Sequence, residues 1–234
     1  MNIIFTRPLL DSEDLMINFF KSGHKVINMP TLIIASANME PINTKDYDAL
    51  IFTSANAVRF LKIKNDDKNT KCFCVGNLTE RSLRLKGFNN TFAASGTVNA
   101  LKNIIINSEK NMKNLAYLSG DVISYELDKD LIQEGFKITK IINYTSTKIL
   151  SLNNETSDLI KRYPANIALI YSKRSAESFD EIVRKYSFSE LMTHCTVMCI
   201  SKKIKEFLES KGWNKIVIFN PGEELIKIDQ IKNG

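Results

Sequence analysis

Six short segments of this chain carry the residue types best suited to chemistry, each where an apolar run gives way to an amphipathic one. They are Thr6-Arg7, Thr53-Ser54-Ala55-Asn56, Gly76-Asn77, Ser119-Gly120-Asp121, Ser172-Lys173 and Ser201-Lys202. Nearly all are small, hydroxylated or basic. Such loops present backbone N–H donors and hydroxyls, and the following helix adds a partial positive charge, so they suit carboxylates or phosphates. Taken singly, each is an ordinary N-terminal helix cap, the common use of Ser, Thr, Asn and Asp at such positions. Taken together, with few acids among them, they point to an anion-binding cleft. Tyr144 stands apart, in the extended polar stretch Ile141-Ile142-Asn143-Tyr144-Thr145-Ser146-Thr147. A phenol there can protonate a leaving group if it borders the site; the alternative is a tyrosine packed at a hinge.

Other chemistries lose their support. No G-x-G-x-x-G follows an apolar run and no G-x-x-x-x-G-K-[ST] is present, which removes the main signal for a dinucleotide or a P-loop. His24 and His194 are the only histidines, and neither belongs to a G-x-S-x-G or Cys/His arrangement. Cys72 and Cys74 form C-x-C, and Cys195 and Cys199 form C-x-x-x-C, not the C-x-x-C knuckles of structural zinc. All four cysteines fall in or beside predicted central strands, where a thiol is usually buried. Neither a metal nor a cofactor is expected. The opening residues do not read as a secretory signal, so the thiols are expected reduced, in a cytoplasmic protein.

Net charge is +6 and the sequence pI is about 9.0, which favours anionic partners without choosing among them. The densest basic clusters, Arg81-Ser82-Leu83-Arg84-Leu85-Lys86 and Lys202-Lys203-Ile204-Lys205, lie in helical periodicity and read as solvated faces. No nucleic-acid-binding motif accompanies them, and no apolar run approaches the ~20 residues that span a bilayer. The expected partner is therefore a small anionic molecule, with no nucleic acid and no membrane.

The elements that must hold these loops follow from hydrophobic patterning. With 234 residues, 44% of them hydrophobic, the chain has material for a sizeable core. Ten short, mostly continuous apolar runs read as strands buried on both faces: Ile3–Thr6, Val26–Met29, Ala49–Thr53, Cys72–Val75, Thr91–Ala93, Leu115–Leu118, Lys137–Ile141, Ile167–Tyr171, Thr196–Ile200 and Lys215–Phe219. Amphipathic helices lie between most of them, such as Ser201–Lys211, which Gly212 ends. Alternation of this kind predicts an α/β protein with doubly wound parallel sheets, and ten strands suit two domains of five.

The chain also repeats. Asn2-Ile3-Ile4-Phe5-Thr6-Arg7, Gly23 and Val26 match Asn114-Leu115-Ala116-Tyr117-Leu118-Ser119, Gly135 and Ile138 at a constant spacing of 112. Ala49-Leu50-Ile51-Phe52-Thr53-Ser54 matches Ala168-Leu169-Ile170-Tyr171-Ser172-Lys173, and Cys74-Val75-Gly76 with Gly87 matches Cys199-Ile200-Ser201 with Gly212. A duplicated α/β unit in the order A-B-A′-B′ accounts for this.

Over most of its length the chain resembles the uroporphyrinogen-III synthase family. The resemblance rests on Thr6-Arg7-Pro8 after the first strand, on the run from Tyr47 to Val58 with its Phe52-Thr53-Ser54 and Ala57-Val58, and on Val75-Gly76-Asn77-Leu78-Thr79. Gly135 leading to Tyr144-Thr145 and the final strand–helix–Gly unit complete it. It implies two similar flavodoxin-like domains with the active-site cleft between them and a crossed connection. One domain would be 1–35 plus 149–234 and the other 38–141, with extended linkers at about 32–37 and 142–148.

The resemblance also implies a cofactorless lyase of porphyrin and haem biosynthesis. Its substrate is hydroxymethylbilane, a linear tetrapyrrole with eight carboxylates. Loss of water gives an azafulvene, and attack at the substituted carbon of ring D gives a spiro intermediate. Rearrangement and closure then yield uroporphyrinogen III with ring D inverted. Tyr144 would assist departure of the hydroxyl. Arg7, Thr53, Ser54, Asn56, Gly76, Thr79, Ser119, Gly120, Ser172, Ser175, Ser201 and Lys202 would bind the carboxylates. The protein would act as a cytoplasmic monomer, a state compatible with hand-over from the preceding enzyme. The chain departs from the family at Ile200-Ser201-Lys202-Lys203-Ile204, often Ile-Gly-Pro-Thr-Thr, and at Ser172-Lys173, where Ser-Pro is the pattern. A non-catalytic, two-lobed binding protein for a tetrapyrrole or another anion is the alternative, and a cofactor-dependent transferase ranks third.

Overall fold

The computed structural model describes residues 1–64, 68–108 and 112–233. It divides into two units, Met1–Ile33 with Thr147–Gly234 and Ile34–Ser146. The first unit is built on strands β1 (Asn2–Phe5) and β2 (Lys25–Asn28). It continues, after the second unit, with β9 (Ile167–Ile170), β10 (Thr196–Cys199) and β11 (Ile216–Ile218). The second contains β4 (Ala49–Phe52), β5 (Lys71–Val75), β6 (Thr91–Ala94) and β7 (Asn114–Gly120). The chain passes between units within β3 (Leu32–Ser36) and again within the twelve-residue β8 (Lys137–Lys148).

The sheet of the first unit has the order β11-β10-β9-β1-β2, with every pair parallel. Its central strand β9 is apolar at every position, and β1 and β10 are apolar after their first residue, because both faces are covered. Ile4, Ala168 and Val197 pack on one face with residues of helices α6 (Asn154–Arg162), α7 (Lys173–Lys185) and α8 (Lys202–Ser210). Ile3, Phe5 and Leu169 pack on the other with Phe19 of α1 (Glu13–Lys21) and Ile228 of α9 (Glu224–Asn233). The second sheet has the order β3-β8-β7-β4-β5-β6. Helices α2 (Ala55–Arg59) and α3 (Asn77–Leu85) cover one of its faces, and α4 (Val98–Ile106) and α5 (Leu127–Gln133) the other.

The internal repeat is visible in the strand orders. Setting β1, β2, β9, β10 and β11 against β7, β8, β4, β5 and β6 superposes one order on the other. The first unit has the 2-1-3-4-5 order of flavodoxin-like folds, and the second reaches it with its two strand groups in the opposite chain order. Even the helix stops repeat. Gly87 and Gly212, 125 residues apart, follow α3 and α8 with φ of +94° and +89°, the left-handed geometry that glycine adopts without strain.

All ten expected strands are present, and β3 makes an eleventh. The stretches 32–37 and 142–148, expected as extended linkers, are extended and largely strands that pair in the second sheet. β3 alternates between half-buried and exposed positions, the pattern of an edge strand with one covered face. Among the described residues no helix is long and apolar enough to cross a membrane.

Candidate active site

In open parallel sheets, ligands bind beyond the carboxyl ends of the strands where the strand order reverses. In the first unit that point lies between β1 and β9, which end on Thr6-Arg7 and Tyr171-Ser172. Thr6, buried, donates its hydroxyl proton to the Leu169 carbonyl at 2.6 Å. Ser175 Oγ donates to Thr6 Oγ1 at 3.0 Å, and Thr31 Oγ1 lies 2.6 Å from Ser175 Oγ. A proton order Thr31 to Ser175 to Thr6 to Leu169 satisfies the chain, so these buried hydroxyls tie β1, β9 and α7 together. Ser172 caps α7, accepting the Ser175 N–H at 3.0 Å. Arg7 holds its guanidinium 4.9 Å from the centre of the Tyr171 ring. The Tyr171 phenol donates to Glu224 Oε1 at 3.1 Å, and burial followed by that carboxylate pushes its pKa above the ordinary value.

In the second unit the reversal lies between β4 and β7, and again the strands end on hydroxyls. Thr53 Oγ1 is 3.1 Å from the phenol of Tyr117, whose pKa burial raises. Ser54 caps α2 through the Asn56 N–H at 3.2 Å, and Asn56 Oδ1 accepts from Arg59 Nη1 at 3.0 Å. Ser119 is buried, with its hydroxyl on the Gly120 carbonyl at 3.2 Å.

Tyr144 belongs to the same place. In the β7–β8 ladder Ser119 pairs with Ile142, but Gly120 pairs with Tyr144, so Asn143 is an extra residue. A bulge of this kind bends a strand and re-aims the side chain that follows. Ile141 and Tyr144 accordingly pack on one core cluster although three residues apart, a spacing that a regular strand sends to opposite faces. Asn143, fully buried, donates Nδ2 to the Ala57 carbonyl at 2.6 Å. The Tyr144 ring stacks on Phe60, with centroids 6.4 Å apart.

The other predicted residues sit on neighbouring strand ends. Gly76 begins α3 at φ +77° with no side-chain cap, and Thr79 in the first turn of that helix is buried. Ser201 caps α8 through the Ile204 N–H at 3.4 Å; Lys202 is exposed, with Nζ 3.7 Å from Glu206. The twelve binding candidates therefore fall at strand ends or in the helix turns that follow, five in the first unit and seven in the second. They differ in what remains available. The hydroxyls of Thr6 and Ser175 are committed within the unit, whereas the capping serines accept an amide and keep an O–H to donate.

Sequence reasoning missed Tyr117, Tyr171, Asn143 and Glu224. The two tyrosines read as apolar strand positions, and no sequence pattern singled out Glu224; only strand order brings each tyrosine to the strand ends of its own unit. The four free cysteines are buried, and burial pushes the thiols up, Cys74 to about 11 and Cys195 to about 12. Among the described residues, no three His, Cys, Asp or Glu side chains gather as a cation site.

Comparison with known proteins bears on this arrangement. The family model described as uroporphyrinogen-III synthase HemD matches residues 16–221. The structure is similar to the uroporphyrinogen-III synthetase of Helicobacter pylori, with a TM-score of 0.69 and 17% identity over 100% of this chain and 99% of that one. It is also similar to a mutant uroporphyrinogen III synthase of Thermus thermophilus, with a TM-score of 0.55 and 13% identity over 100% of both chains. Among curated proteins nothing matches significantly. The two structures show the fold, and the family match, which spans most of the chain, shows the kinship: this chain belongs to the uroporphyrinogen-III synthase family.

Proposed function

We propose that the chain converts hydroxymethylbilane into uroporphyrinogen III, and that the residues above divide the work as follows. The observation that carries the reading is the family match across residues 16–221. The chemistry of the strand ends agrees with it. A substrate with eight carboxylates needs many donors, and each unit offers capping serines, helix N-termini and amide groups with few competing acids. Ser54, Ser172 and Ser201 donate their remaining hydroxyl protons. The guanidinium of Arg7 takes a carboxylate, and the uncapped turn at Gly76 offers backbone N–H groups. Thr53, Asn56, Ser119 and Gly120 complete the second unit's share. Thr79 and Ser175, both buried, hold their helices in place, and the exposed Lys202 offers its ammonium to a carboxylate.

Tyr144 transfers a proton, directly or through water, to the hydroxyl of the substrate, which leaves as water and generates the azafulvene. The substituted carbon of ring D attacks it, the spiro intermediate rearranges, and closure gives the inverted isomer. Unassisted closure gives the uninverted one, so most of the catalytic task is holding the substrate in the conformation that leads through the spiro species. That is why polar positioning groups outnumber reactive ones. The reading includes a cytoplasmic monomer supplied by the enzyme that makes hydroxymethylbilane. Separation of the oxidised porphyrin isomers formed with and without the protein tests the activity.

A further inference from the structure

Arg7 is placed to recognise an anion but does not place itself. Among the described residues its guanidinium makes no hydrogen bond or ion pair, and its Cζ lies 4.9 Å from the centre of the Tyr171 ring. A ring face restricts a guanidinium and leaves its five N–H donors free for a carboxylate. What fixes that ring is therefore what fixes Arg7. Two groups do so. Phe219 meets it edge-on, with centroids 5.5 Å apart and planes at 90°, and Glu224 accepts its phenolic proton at 3.1 Å.

Glu224 is an unusual residue to find there. It opens α9 and is 4% exposed, and its second oxygen accepts the Gly222 N–H at 2.7 Å. Burying a carboxylate is costly even with two hydrogen bonds and a helix N-terminus to offset it, and an apolar residue would pack the position at less cost. The charge has a use if the phenol must point one way. We infer that Glu224, acting through Tyr171, is a positioning residue for Arg7, so that the last helix of the chain helps to bind a substrate carboxylate. The helix lies beyond residue 221, where the family match ends.

The inference rests on the proposed activity, and the test separates the two. Steady-state kinetics with hydroxymethylbilane are compared for the wild type, Tyr171→Phe, Glu224→Gln, Arg7→Gln and the double variant Arg7→Gln/Tyr171→Phe, with thermal melting alongside. Tyr171→Phe keeps the ring and cuts only the tether. It should raise KM roughly two- to fivefold with a smaller change in kcat, the scale of an exposed cation–π contact. Glu224→Gln, which keeps an acceptor for the phenol, should show the smaller rise. Tyr171→Phe should have no further effect on KM once Arg7 is Gln, because the tether then has nothing to position. A change in melting temperature with KM unmoved, an equal KM increase in both backgrounds, or an Arg7→Gln protein with wild-type KM would each overturn the inference. Isomer I alone from the wild type would overturn the proposed activity, and this inference with it, before any variant is compared.

Discussion

The ring of Tyr144 occupies the space that a side chain at residue 120 would need: a Cβ built on Gly120 falls 2.7 Å from Cε2 and Cζ and 2.9 Å from the hydroxyl. Gly120 therefore works as the floor under Tyr144. Its φ is not in the left-handed region, so the requirement is one of space alone.

Gly120→Ala should push the Tyr144 phenol out of place. Overpacking of this kind costs about 1–3 kcal/mol, less where the neighbour can swing aside. We expect kcat to fall about as far as in Tyr144→Phe, and the double variant to be no worse than the poorer single one. Steady-state turnover of the three proteins checks this. A Gly120→Ala enzyme with wild-type kcat would show that the phenol does not act from this position.

Tyr144→Phe should lower kcat by roughly 10²-fold, the low end of general-acid contributions, with a much smaller effect on binding. Single-turnover rates and the affinity for the substrate, measured separately, give the two numbers. Unchanged turnover removes the acid role and leaves Tyr144 a binding residue.

Asn143→Ala should destabilise the second unit. The variant removes the Nδ2 bond to the Ala57 carbonyl and leaves that acceptor unpaired in the core. A buried unsatisfied group costs about 1–3 kcal/mol, readable as a lower urea midpoint. The bulge would lose its anchor as well, so kcat should fall in step with Tyr144 mobility.

These contacts also show how far the sequence could be read. The strands were legible because strands buried on both faces need continuous runs such as Ala49-Leu50-Ile51-Phe52 and Ile167-Ala168-Leu169-Ile170. Ser54, Ser172 and Ser201 were legible because a serine after a strand caps the helix that follows. β3, a short apolar run, and the far half of β8, a polar one, were not, since they read as strands only once the two are paired. The bulge at Asn143 depends on register, which no local pattern records. The Arg7–Tyr171–Glu224 chain joins residues from three distant parts of the sequence, and only the neighbouring of β1 and β9 brings the first two together.

Acid stability should report Asp48. The backbone N–H groups of Asn114 and Lys113 both donate to its Oδ2 at 2.8 Å and hold its carboxyl below the ordinary 3.8. A depressed carboxylate contributes stability that is fully present above its unfolded value and is lost as pH falls through the folded one. The wild type should therefore lose stability below about pH 4, and Asp48→Asn should lack that part of the slope while being less stable at neutral pH. Urea unfolding from pH 3 to 7 measures both. Parallel curves for the two proteins would mean that the contact contributes nothing.

The most direct measurement is the isomer ratio. Hydroxymethylbilane is generated fresh and divided between buffer and the wild-type protein, and the oxidised porphyrins are separated. Isomer III in excess with the protein, against isomer I in buffer, is the predicted result. Isomer I alone in both, from folded protein, would contradict the account, and tetrapyrrole binding by that same protein would then mark it as a carrier that has kept the fold without the reaction.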